Sequence, residues 1–122
     1  ASLPPPASER LILPLVMNRG LPAGWLQQCI RLAQAQPVGA ANVLRQVRLA
    51  RSFAGDLAIA PHKVLLLASR ADRLAAARCS ERLASRYHFA LALHASAGHE
   101  LTMDDPDWVI EQALSFWYKA PA

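Results

Sequence analysis

No apolar run in these 122 residues approaches the ~20 that a membrane-spanning helix needs; the longest are residues 11–17, broken by Pro14, and residues 64–68. Ala-Ser-Leu-Pro-Pro-Pro at the start has no basic head followed by an apolar stretch, so no secretory signal is read there, and the first residue is not Met, which fits a processed or excised chain. Cysteine is scarce. Cys29 and Cys79 are far apart, and each falls on the apolar side of a helix-patterned stretch. They are expected as two buried thiols rather than a disulfide, which favours a reducing, cytoplasmic setting. Internal repeats, low-complexity tracts and glycine-rich phosphate loops are missing. Acids are missing too across residues 10–55, where six arginines (Arg10, Arg19, Arg31, Arg45, Arg48, Arg51) stand unopposed between Glu9 and Asp56.

What is present describes a folded domain: 53% hydrophobic and 18% charged residues, with a net charge of +4. The basic half has its counterpart in residues 100–111, which hold five acids and no Lys or Arg. Arg45, Arg48 and Arg51 at three-residue spacing read as a solvated helix face. Without interleaved aromatics they do not argue for nucleic acid, and an acidic partner stands between the two readings.

Along the chain, residues 1–8 are proline-rich. A short helix is expected over residues 9–18, with Pro14 against its regularity. Residues 21–36 carry Trp25, Leu26, Cys29, Ile30 and Ala33 at helical spacing, with Pro22 suited to a first turn. Residues 40–54 repeat the pattern with Val43, Leu44, Val47, Ala50 and Ala54 before Gly55. The second half changes character. Residues 64–68 and 89–94 are short continuous apolar runs of the kind buried on both faces of a parallel sheet. Residues 75–87 form an amphipathic helix between them. Asp105-Pro106-Asp107 then opens a closing helix, with Asp105 as N-cap, Pro106 at N1 and Asp107 favourable to the dipole. Strand, helix, strand, helix is a βαβα unit with parallel strands and a right-handed crossover. The fold class is therefore α/β. Two strands leave an open edge, so a second chain or a missing segment is expected to pair there, giving a homodimer if the chain stands alone.

In open α/β sheets functional residues gather beyond the C-terminal ends of the strands. Two polar residues qualify: Asp72 in Ala-Ser-Arg-Ala-Asp-Arg-Leu after the first strand, and His99 in Ala-Ser-Ala-Gly-His-Glu-Leu after the second. A carboxylate bonded to one ring nitrogen fixes the tautomer of a histidine and leaves the other nitrogen as a base. Asp72 alone would be read as a helix-capping loop residue; paired with His99 it reads as a catalytic acid. His94, His99, Asp104, Asp105 and Asp107 match no tetrahedral metal spacing, and the acids are expected as helix caps, so no metal and no cofactor are assigned. His62 and His88 flank the strands and are expected to be exposed.

Residues 62–117 resemble the last two strands and helices of an α/β-hydrolase, where the triad acid follows one strand and the histidine follows the next in a Gly-His pair, here Gly98-His99. The run Leu101-Thr102-Met103-Asp104-Asp105-Pro106-Asp107-Trp108 into a closing helix is also similar to bacterial members, and the chain order, acid then histidine, agrees. The resemblance implies a helical cap or lid over residues 1–60, a C-terminal βαβα portion over residues 61–122, and together a partial single domain. It implies hydrolysis of a small ester-like substrate by a Ser-His-Asp triad, with Asp72 and His99 as two of its members. The departure is the nucleophile: none of the eight serines sits in Gly-x-Ser-x-Gly. A complete domain of this class runs to ~200–250 residues, so the nucleophile-bearing half is expected to be missing and the chain inactive by itself. The alternative is a non-catalytic interaction module that retains the fold.

Overall fold

The computed structural model describes residues 5–52 and 59–119 and is mixed α/β, with a two-stranded parallel sheet and six α-helices among those residues. It divides into two units. One takes in the chain up to Leu13 and from Leu21 through the third helix; the other joins Pro14–Gly20 to the segment that begins at Ala58. The sheet-bearing unit thus recruits seven residues from the middle of what reads, in sequence, as the helical region.

Helix α1 spans Pro5–Val16 and contains Pro14. Pro14 deprives only the last turn of an N–H, and the helix stops two residues later, so the ring is tolerated where an interior one would break the helix. Helix α2 covers Trp25–Ala35 rather than beginning at residue 21. Pro22 closes a turn by accepting the Trp25 N–H at 3.1 Å, and Gly24 is left-handed at φ 80°, a conformation that glycine adopts without steric cost. Helix α3, Ala40–Ser52, starts on the Gly39 carbonyl, which accepts the Asn42 and Val43 N–H groups. Neither α2 nor α3 has a fully buried residue, and Leu32, Leu44 and Leu49 are about 60% exposed. Cys29 is only half-buried.

In the sheet-bearing unit, a 3-10 turn at Pro61–Lys63 leads into strand β1, Leu65–Ser69, which pairs in parallel with β2, Ala90–His94. The register runs from Leu65 opposite Ala90 to Ser69 opposite His94. The expected crossover helix is α4, Arg78–Tyr87. It starts three residues later than its apolar stripe suggests because the Asp72 carboxylate claims the Leu74 and Ala75 N–H groups for a tight turn. It ends at His88, left-handed at φ 57°. Cys79 on this helix is exposed, which corrects the expectation of a buried thiol: a ten-residue helix against two strands covers too narrow a stripe to enclose its first turn. His62 and His88 are exposed.

A four-residue helix, α5 at Leu101–Asp104, was not legible in the sequence. Helix α6, Pro106–Lys119, follows with Asp105 as N-cap, its Oδ1 accepting the Trp108 N–H at 3.2 Å. Among the described residues the buried side chains Met17, Ser69, His94, Ala97 and Asp104 belong to the ends of the strands and the segments around them, and Phe89 is buried just before β2 begins. No helix of the described residues is long and apolar enough to cross a membrane.

Candidate active site

The parallel register ends at Ser69 and His94, and both following loops leave the same edge of the sheet. Ser69 ties them together. Its buried hydroxyl donates to the Ala97 carbonyl at 2.5 Å and accepts the Ala71 N–H at 3.2 Å. A serine so engaged and so enclosed is structural rather than nucleophilic.

From these loops Asp72 and His99 converge: His99 Nδ1 lies 2.8 Å from Asp72 Oδ2. The other oxygen, Oδ1, accepts the N–H groups of Leu74 at 2.7 Å and Ala75 at 2.9 Å. Capping and pairing, which compete as explanations of Asp72 in sequence, are therefore performed by different atoms of one carboxylate. Partial burial works to raise the Asp72 carboxyl, but the Ala75 N–H, the His99 ring, the Leu74 N–H and the charge on His99 together hold it below the ordinary aspartate value. An ionised Asp72 accepts the Nδ1 proton, so the lone pair of His99 is on Nε2. That atom has no hydrogen-bond partner among the described residues, and the His99 side chain is 42% exposed against 10% for Asp72. The arrangement is an oriented base open to solvent.

A second histidine–aspartate pair lies close by in the sequence and has the opposite character. His94 Nδ1 accepts the N–H groups of Ser96 at 3.1 Å and Ala97 at 2.8 Å. Its proton is therefore on Nε2, 3.1 Å from Asp105 Oδ2, which also accepts from Arg19 Nη2 at 2.8 Å. The Trp108 ring packs edge-on to the imidazole, centroids 4.9 Å apart. The bonds from the His94 ring and the Trp108 N–H, with the charge on Arg19, keep the Asp105 carboxyl below its usual range against the opposing effect of burial. His94 is buried, both ring nitrogens are occupied, and it serves to shape the loop that leads to His99.

Asp104 corrects the expectation that the acids of this segment are all helix caps. It closes α5, is buried, and binds backbone N–H groups: Asn18 at 2.8 Å and Gly98 at 2.5 Å on Oδ2, Arg19 at 3.0 Å on Oδ1. Burial pushes its carboxyl up, and the three N–H groups with the Arg19 charge more than offset this, leaving it below the ordinary value. The sequence gives no signal for Asn18 and offers His94 only as a metal ligand, because their partners are long-range or set by loop geometry. Among the described residues no group of three or more His, Cys, Asp or Glu is placed to hold a metal ion, and no serine, threonine or cysteine is bonded to the His99 ring. A comparison of the chain with known protein families, curated proteins and solved structures finds no match.

Proposed function

We propose that this chain supplies the acid and the histidine of a Ser-His-Asp triad, as the C-terminal part of an α/β-hydrolase acting on a small ester-like substrate. The observation that carries the reading is the 2.8 Å contact between His99 Nδ1 and Asp72 Oδ2 at the C-terminal edge of two adjacent parallel strands. A serine from outside these residues attacks the acyl carbon while Nε2 of His99 takes its proton; Asp72 holds the ring and stabilises the imidazolium. The same proton then passes to the leaving alkoxide, and water repeats the cycle on the acyl-enzyme. No cofactor takes part. The open edges of a two-stranded sheet suit pairing with a nucleophile-bearing segment or with a second copy. Two free cysteines suit a cytoplasmic setting.

The experiment has two arms. The 122-residue chain is expected to hydrolyse nitrophenyl acetate no faster than free imidazole does. Saturable turnover blocked by a serine-directed phosphonate would instead locate a nucleophile among its own serines. The coding sequence read in frame upstream is expected to contain Gly-x-Ser-x-Gly after a strand pattern; a frame without it would favour the non-catalytic interaction module.

A further inference from the structure

Asp72 and His99 lie three and five residues beyond the last paired positions, Ser69 and His94, so the strand register alone does not set their separation. His99 is half exposed, and Asp72 is its one hydrogen-bond partner among the described residues. Its position therefore depends on how the two loops are held to each other.

Two side chains bridge them: Ser69 at the strand ends, whose hydroxyl joins the Ala97 carbonyl to the Ala71 N–H, and Asn18 further out. The Asn18 amide donates one proton to the Ala71 carbonyl at 3.0 Å and the other to the Ser96 carbonyl at 3.1 Å. Ala71 immediately precedes Asp72, and Ser96 leads through Ala97 and Gly98 to His99. A planar amide with both protons used in this way fixes the distance between the loops as a rigid spacer. Asn18 is in turn held on both sides. Its own N–H and that of Gly98 share Asp104 Oδ2, and the Glu100 N–H donates to the Val16 carbonyl at 2.8 Å. A Cβ at Gly98 would come within 2.5 Å of that carbonyl, so only glycine lets the segment lie this close. From the other loop Arg73 Nη2 donates to the carbonyls of Pro14 and Met17.

We infer that Asn18 is a positioning residue for the acid–histidine pair, clasping the Asp72 loop to the His99 loop through the Ala71 and Ser96 carbonyls. The inference rests on the triad reading, and its test separates the two. The readout is the tautomer of each histidine, taken from imidazole 15N shifts at a pH where the rings are neutral. In the wild type, His99 is expected as the Nδ1–H form, and His94, held by the N–H groups of Ser96 and Ala97, as the Nε2–H form. Asp72→Ala defines the His99 shifts of an unpaired ring. Asn18 is exposed, so its replacement leaves the core intact. Asn18→Ala removes both donors. Asn18→Asp keeps the size and turns a carboxylate toward two carbonyls. Both variants are expected to move the His99 ring nitrogens most of the way to the Asp72→Ala values while those of His94 stay in place. Wild-type His99 shifts in both variants would overturn the inference and leave the triad reading standing. Movement of His94 together with His99 would also overturn it, by showing a general loosening instead of a clasp. Wild-type His99 shifts already equal to those of Asp72→Ala would remove the triad reading, and the inference with it.

Discussion

Replacing Asp104 by asparagine keeps the shape of a residue that is 3% exposed and removes its charge. The carboxylate takes two N–H groups on Oδ2 and one on Oδ1. An amide that offers its oxygen to Asn18 and Gly98 must turn its NH2 toward the Arg19 N–H, donor against donor. The two retained bonds become neutral; bonds to a charged group contribute ~1.5–3 kcal/mol and neutral ones ~0.5–1.5, so each conversion costs about 1 kcal/mol. The stranded Arg19 N–H adds ~1–3 kcal/mol if it stays dry, and less to the extent that water reaches it. The sum is a loss of roughly 2–5 kcal/mol, a large fraction of the ~5–15 kcal/mol by which domains are stable. Urea unfolding measures it, at one protein concentration for both proteins because self-association would make the midpoint concentration-dependent. An unchanged m-value with a loss below ~0.5 kcal/mol would refute the role given to this carboxylate.

The Gly98→Ala protein should lose about 1–3 kcal/mol in the same assay, because its Cβ would meet the Val16 carbonyl and residues 16–18 must shift; wild-type stability would mean that the approach is looser than described. Asp72 and Asp104 are both held below the ordinary carboxyl value, so their contribution is fully present above the unfolded pKa of ~3.9 and is lost as the pH falls through the folded values. The urea midpoint should therefore fall on acidification below about pH 4, less steeply in Asp104→Asn, and a rise would contradict the sign. With native protein a thiol reagent should modify exposed Cys79 several-fold faster than half-buried Cys29, and equal rates would contradict that difference in exposure.

The strand pair was legible because two short continuous apolar runs separated by a crossover-length helix leave few topologies, and parallel strands send both following loops to one edge. Asp72 and His99 stood out as polar residues at that edge, and their 2.8 Å contact needed no further signal. Asn18 and Asp104 carried none: they meet across 86 positions with no periodicity, and an aspartate beside Asp105-Pro106 resembles a helix cap until its backbone partners are seen. The start of α2 was misplaced because Pro22 fits a first helical turn as well as it fits the turn it forms before Gly24. The burial expected of Cys79 assumed a helix long enough to enclose its first turn, and the turn made by Asp72 shortens it.

Ester turnover by the full reading frame that contains these residues tests the central claim most directly, comparing wild type with His99→Gln and Asp72→Asn. The account predicts that kcat falls by about 10⁴ when the histidine loses its carboxylate, and by at least as much when the base itself is removed. Turnover in either variant within about threefold of wild type, an effect on the order of 0.7 kcal/mol, would show that the pair takes no part in the chemistry.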